Sequence, residues 1–201
     1  MRYHSQFSED AIIDGLFRKI GTTNKLLVDV GAANGITFSN TRFFMEGNLR
    51  GRLEPWNGHF VEPDRERFNV LTTFYPESQC SNIAIDSTMT IDKLLDSLHY
   101  PEVFDLLNID IDGQDYYIWT DMIKYRARIV VIEWSPYVTK GFIPKRDTDG
   151  KEGENQAGIL SMLNLARRKD YTVVAITPVN LICVDNKIIP QKYWKGCFPL
   201  K

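Results

Sequence analysis

Strands and helices alternate along this 201-residue chain in the order that builds an open, mostly parallel α/β sheet with helices on both faces. Three observations predict that class. Short apolar runs end at turn residues or acids at Leu26–Val30, His59–Glu62, Asn82–Ile85, Phe104–Asp110 and Ile129–Glu133. Stretches with helical spacing separate them. The last two runs, Tyr171–Ile176 and Leu181–Val184, are joined across Pro178-Val179-Asn180, too short for a parallel crossover. The sequence therefore predicts a mostly parallel seven-stranded sheet that closes on a C-terminal antiparallel hairpin.

Each element has a local reason. Ala11, Ile12, Leu16, Phe17 and Ile20 lie on one face of an N-terminal helix, with Ser8 as its expected cap and Gly21 as its stop. Leu26–Val30 breaks into small residues, Gly31 to Gly35, and Ser39 is placed to start a helix running to about Gly47. Pro63 follows the second strand where a helix can begin, and Arg65 to Leu71 continue it. Thr90 suits the cap of a helix carrying Ile91, Leu94, Leu95 and Leu98. Tyr117, Ile118, Trp119 and Met122 mark the next helix, and Ala157 to Lys169 the last. Residues 141–156 are polar and long for a connection, which reads as a lid, a substrate loop or a mobile segment.

Composition narrows the function classes. Hydrophobic content of 43% and charge of 25% are those of an ordinary globular protein, and 201 residues fit one domain. A formal net charge of -2 gives no general attraction to nucleic acid or to an anionic membrane. No apolar run reaches the ~18 residues of a membrane span. Cys80, Cys183 and Cys197 are odd in number and lack metal-type spacing, which predicts a reducing cytoplasm rather than a disulfide framework.

The chemistry concentrates at one edge of the predicted sheet. Glu62, Asp110 and Glu133 each close a strand, and in such sheets ligands bind beyond the carboxyl ends, where strand order reverses. The turn Gly31-Ala32-Ala33-Asn34-Gly35 is either an ordinary βα turn or a cradle that lets a ligand approach the backbone. Its glycines are four apart, without the G-x-G-x-x-G spacing that seats a pyrophosphate. Asp29, inside the strand end, is unwelcome beside a phosphate and suits a cationic or amino-bearing ligand. Glu62, one strand-turn-helix unit further on, suits both hydroxyls of a ribose, or is a solvated strand-end carboxylate. These features favour S-adenosylmethionine over NAD.

Several motifs in order carry a family resemblance. They are Ser5-Gln6 with Glu9-Asp10, Val28-Asp29-Val30-Gly31-Ala32 with Gly35, Ser39-Asn40-Thr41, Phe60-Val61-Glu62, and Asp110-Ile111-Asp112-Gly113-Gln114-Asp115. Together they resemble the FkbM-type methyltransferases, and more closely a subgroup with Ser-Gln-x-x-Glu-Asp and Asp-Ile-Asp-Gly-x-Asp motifs. The chain departs from better-known members at Asn108 and Asp112, where those carry lysine and glutamate.

The resemblance implies a class I, Rossmann-like methyltransferase fold over residues 1–201, with S-adenosylmethionine above the first strand and the 1–21 helix over the cofactor. By position, Asp29, Gly31, Ala32 and Gly35 would face the methionine part, Glu62 the ribose, and Asn82, Ile83 and Ala84 the adenine. Gln6, Asn34, Pro63 and Asp110 complete the expected cofactor set; for Gln6 a plain helix start is the alternative.

Asp110 and Asp112 are the expected catalytic pair. Alternate residues of an extended strand share a face, so both carboxylates converge if the strand continues through Ile111. There a carboxylate can align the acceptor and take its hydroxyl proton. Alternatively Asp110, Asp112 and Glu133 hold a hard divalent cation such as magnesium, or Asp112 merely caps the turn at Gly113. The acceptor implied is a small hydroxyl compound or a glycan. The rival readings are an NAD-dependent oxidoreductase and a catalytically silent protein that keeps the fold for binding.

Overall fold

The structure is a computed structural model and describes residues 3–47, 56–146 and 156–189. Seven strands form one sheet in the order β3-β2-β1-β4-β5-β7-β6. They are β1 (Leu26–Val30), β2 (Asn57–Val61), β3 (Cys80–Ser81), β4 (Val103–Ile109), β5 (Arg126–Glu133), β6 (Tyr171–Ile176) and β7 (Asn180–Asp185). β1 to β5 pair in parallel, while β7 runs antiparallel to both β5 and β6. The order steps outward from β1 in one direction to β3 and in the other to β5, so it reverses between β1 and β4. A crevice opens at that point on the carboxyl edge.

Among the described residues six α-helices cover the sheet: α1 (Glu9–Ile20), α2 (Arg42–Glu46), α3 (Arg65–Leu71), α4 (Ile91–Ser97), α5 (Asp115–Asp121) and α6 (Ile159–Arg168). Alternate strand residues feed two cores. Val28, Val30, Leu107, Ile109, Val130 and Ile132 pack with α4, α5 and α6 through Leu94, Trp119 and Leu165. Leu27, Phe60, Leu106, Ile129 and Val131 pack with α1, α2 and α3 through Ile13, Phe17, Phe43 and Leu71. Burial on both faces explains why the central strands read as continuous apolar runs.

Three expectations change in the structure. Asn82–Ile85 is not the third strand, which is Cys80–Ser81; the Asn82 amide instead donates to the carbonyls of Glu62 (2.8 Å) and Pro63 (3.0 Å). Ser8 does not cap α1 with its side chain, because its backbone is left-handed (φ 66°). Two carboxylates organise that end: Glu9 accepts from the Phe7 N–H, and Asp10 from the His4 N–H and the Ser5 hydroxyl. Strand β4 stops at Ile109, and Asp112 is left-handed (φ 57°), so Asp110 and Asp112 do not share a strand face.

Other starts shift less. α2 begins at Arg42, with the Ser39 hydroxyl accepting its N–H at 3.0 Å, and α3 is capped by Asp64, which accepts from the Arg67 N–H at 2.8 Å. Thr90 caps α4 as expected. Of the polar 141–156 segment, residues 147–155 lie outside the described residues, as does Cys197.

A buried acid ties the amino edge together. Asp105 of β4 accepts from the backbone N–H groups of Thr23, Asn24 and Lys25 and from the Arg128 guanidinium at 2.8 Å. Burial pulls its pKa up, but Arg128 and those N–H groups hold it below the usual carboxylate range. This fixes the α1–β1 connection and hence where β1 enters the sheet.

Candidate active site

Gly31 closes the crevice at its base. Its N–H and that of Ala32 both donate to the Val61 carbonyl, at 2.9 and 3.0 Å, which draws the end of β1 toward β2. On the other side a Cβ at Gly31 would lie 1.8 Å from the Asp110 carbonyl oxygen, and its φ is +87°. Only glycine allows β1 and β4 to end this close together.

Above it lies a cavity of about 400 Å³. Seven of the expected site residues line it: Asp29, Gly31, Ala32, Glu62, Pro63, Asp110 and Asp112. Among the described residues, five carboxylates line it, from Asp29, Glu62, Asp64, Asp110 and Asp112, against one cation, Arg67. Phe38 also lines it; its backbone is left-handed (φ 55°) and its side chain 63% exposed.

Glu62 is 3% exposed and is held by two backbone donors, Ala33 N–H on Oε2 and Asp64 N–H on Oε1, both at 2.8 Å. Each oxygen keeps a second acceptor direction. Asp29 sits deeper, where burial raises its pKa, while the Thr41 hydroxyl (2.5 Å) and the Asn108 amide (2.8 Å) favour its charged form. Asn40 donates to Asn108 at 3.0 Å, which completes a buried chain from the segment just before α2 to β1 through β4. The departure at position 108 thus places a neutral amide, not an ammonium, against Asp29.

Asp110, Asp112 and Glu133 do converge, by a different route from the one expected. Each offers an oxygen within 4.8 Å of the others. The turn between β4 and α5 makes the approach, and Asp115 pins that turn by accepting from the N–H groups of Ile111 and Gly113, each at 3.1 Å. The role held open for Asp112, capping at Gly113, belongs to Asp115. Burial and the neighbouring acids push Asp115 up to about 6, Asp110 to about 7 and Glu133 to about 11. The Gln156 amide donates to Glu133.

The remaining expected residues stand apart from the cavity lining. Gln6 is exposed on the segment before α1. Asn34 builds the turn, its side-chain Oδ1 accepting from the Ile36 and Thr37 N–H groups. Gly35 is packed under Tyr75, where a Cβ would come within 2.6 Å of the ring. Asn82 anchors the chain beyond Glu62, and Ala84 lines a neighbouring cavity of about 400 Å³ that shares Ile111 with the first. α1 packs on β7 rather than over the cavity, with Glu9 accepting from the Thr177 hydroxyl at 2.8 Å.

Sequence reasoning missed Asp115 and Asp64. An acid at the start of a helix was the available signal in both cases.

No protein-family model and no curated protein sequence matches the chain. Solved structures do. One, from Klebsiella pneumoniae and assigned as an O-methyltransferase, superposes with a TM-score of 0.55 at 14% identity, covering 92% of this chain and 83% of that one. The O-methyltransferase from Bacillus cereus, in complex with S-adenosylhomocysteine, gives 0.52 at 10% identity, covering 92% and 84%. The N-terminal domain of EvdMO1, crystallised in the presence of S-adenosylhomocysteine and D-fucose, gives 0.52 at 9% identity, covering 89% and 82%. The likeness is one of fold: this chain has the Rossmann-like architecture of these methyltransferases. Among the described residues no helix is long and apolar enough to cross a membrane.

Proposed function

We propose that the chain is a single-domain S-adenosylmethionine-dependent methyltransferase of FkbM-type kinship, acting on a hydroxyl of a small molecule or glycan. The observation that carries the reading is the charge of the cavity. Among the described residues, five carboxylates against one guanidinium favour a cationic ligand and oppose the pyrophosphate of NAD. A cavity of about 400 Å³ also falls in the size range of cofactor sites.

In this reading Asp29 and the Gly31–Ala33 turn hold the methionine part, Glu62 takes the ribose hydroxyls on its free acceptor directions, and Pro63, Ile111 and Ala84 flank the adenine. When bound, the cofactor supplies the transferable methyl on its sulfonium. Asp110 receives the acceptor's hydroxyl proton; its pKa near 7 suits a general base at neutral pH. Asp112, exposed at the rim, orients the acceptor, and Phe38 offers it an apolar face. The same Asp110, Asp112 and Glu133 oxygens also form the donor set a magnesium ion takes.

Isothermal titration with S-adenosylhomocysteine and, separately, NAD tests the cofactor. The expected result is saturable binding of the first alone. Binding of NAD alone, or of neither at about 1 mM, overturns the reading.

A further inference from the structure

A second cleft, of about 530 Å³, lies at the amino edge of the sheet, away from the acid-lined cavity. The end of α5, the starts of β5 and β6, the last turn of α6 and the turn after β7 enclose it. Arg126 lines this cleft and Glu133 belongs to the other end of the same eight-residue strand, so the two sites are separated by roughly 25 Å at the usual rise of an extended chain.

The charge here is reversed. Among the described residues, Lys124, Arg126, Arg168, Lys169 and Lys187 line the cleft, against one acid, Asp170. Two of the cations are matched: Arg126 grips Asp185 at 2.6 and 2.7 Å, and Lys124 pairs with Asp96 at 2.5 Å. Arg168, Lys169 and Lys187 make no ion pair with any described residue.

Lys169 is the least expected of the three. Its ammonium is partly withdrawn from water, 6.0 Å from the centroid of the buried Trp119 ring, and it donates to the Met122 carbonyl at 2.7 Å. Burial lowers its pKa to about 8, and the more distant carboxylates of Asp92 and Asp121, neither in ion-pair contact, offset the lost hydration only in part. Arg168 gives one N–H to the Tyr116 hydroxyl at 2.6 Å and keeps the rest of its fork. Cations in the last turn of a helix complement its dipole, which accounts for Arg168. That does not explain why Lys187, from the other side of the hairpin, faces the same cleft.

We propose that this cleft binds a compact anion carrying phosphoryl groups, held by Lys169, Arg168 and Lys187. Three unmatched positive charges call for a ligand with at least two negative ones, and guanidinium and ammonium groups together suit phosphoryl oxygens. The volume exceeds what a single phosphate fills, leaving room for a diphosphate or a phosphorylated small molecule. The inference does not depend on the methyltransferase reading.

Isothermal titration of the full chain at low salt, with inorganic pyrophosphate and with citrate as separate titrants, tests it. Pyrophosphate is expected to bind at one site with a Kd of about 0.1–1 mM. Lys187→Gln, on an exposed side chain that the fold does not need, should weaken it about fivefold, and Lys169→Gln about tenfold. No saturable heat up to about 10 mM, or unchanged affinity in Lys187→Gln and Arg168→Gln, overturns the site. Citrate binding as tightly as pyrophosphate overturns the phosphoryl assignment.

Discussion

Glu62→Gln separates a ribose-binding carboxylate from one that merely holds a loop. In the structure both oxygens are already used by backbone donors, Ala33 N–H and Asp64 N–H, each at 2.8 Å. A glutamine offers one oxygen, so one N–H must face an amide NH₂. A hydrogen bond to a charged acceptor contributes about 1.5–3 kcal/mol, and a buried donor left without an acceptor costs about 1–3 kcal/mol. The variant should therefore lose roughly 2–4 kcal/mol, within the stability of a domain this size, and still fold.

If the remaining acceptor directions of Glu62 take the two ribose hydroxyls, the same change removes one of those bonds. The Kd for S-adenosylhomocysteine should then rise at least about tenfold. Urea unfolding followed by tryptophan fluorescence gives the first quantity, and isothermal titration the second. Asp105→Asn is the control, because it destabilises the opposite edge of the sheet without touching the cavity. The reasoning fails if Glu62→Gln is destabilised yet binds S-adenosylhomocysteine with wild-type affinity; Glu62 would then be a loop anchor only.

Gly31→Ala would drive a Cβ to within 1.8 Å of the Asp110 carbonyl at a φ of +87°, so a loss of at least about 3 kcal/mol is expected from the urea midpoint. Asp105→Asn breaks its charge pairing with the 6%-exposed Arg128 and should cost about 3–5 kcal/mol by the same measurement. The folded pKa values of Asp110 (about 7) and Glu133 (about 11) lie above the ~4 of an unfolded carboxyl, so their contribution to stability is complete below that value and is lost as pH rises above it. The melting temperature should fall from about pH 4 upward, most steeply up to about pH 7 where both groups contribute, and Asp110→Asn should flatten that steeper part. If the three acids take magnesium, millimolar MgCl₂ should raise the melting temperature of the wild type at pH 8 and leave Asp110→Asn unmoved; equal shifts in both would remove the metal assignment.

What the sequence revealed, and what it hid, follows from the range of the interactions involved. The central strands were legible because a strand buried on both faces must be apolar along its length, and the hairpin because its connection is too short for any crossover. The third strand was misplaced because Ile83-Ala84-Ile85 is apolar for another reason: Ile85 is buried in the core beneath α4, while pairing has already ended at Ser81. Asp105 gave no sign at all. Its partners at Thr23 to Lys25 lie about eighty positions away, and nothing local distinguishes it from a surface acid. The Asp110–Asp112 convergence does not follow the strand period that the sequence suggests, because Asp115 folds these residues into a turn.

The acids at the strand ends show how topology can be turned into chemistry. A parallel sheet brings every carboxyl end to one edge, so an acid closing each of several strands becomes a cluster without any local motif. Burial, aided by the neighbouring acids, makes such a cluster resist full ionisation and raises the pKa values of Asp29, Asp110 and Glu133. The cluster falls into two groups: Asp29 and Glu62 at the ends of β1 and β2, and Asp110, Asp112 and Glu133 beyond β4 and β5. Glu62 is satisfied by backbone N–H groups and Asp29 by neutral side chains, so the first group is rigid before any ligand arrives. The second is held chiefly by mutual contact and by Gln156, so its protonation can change with what enters. A rigid acidic seat beside a carboxylate, Asp110, that titrates near neutral pH is compatible with the proposed transfer of a methyl from a sulfonium to a hydroxyl.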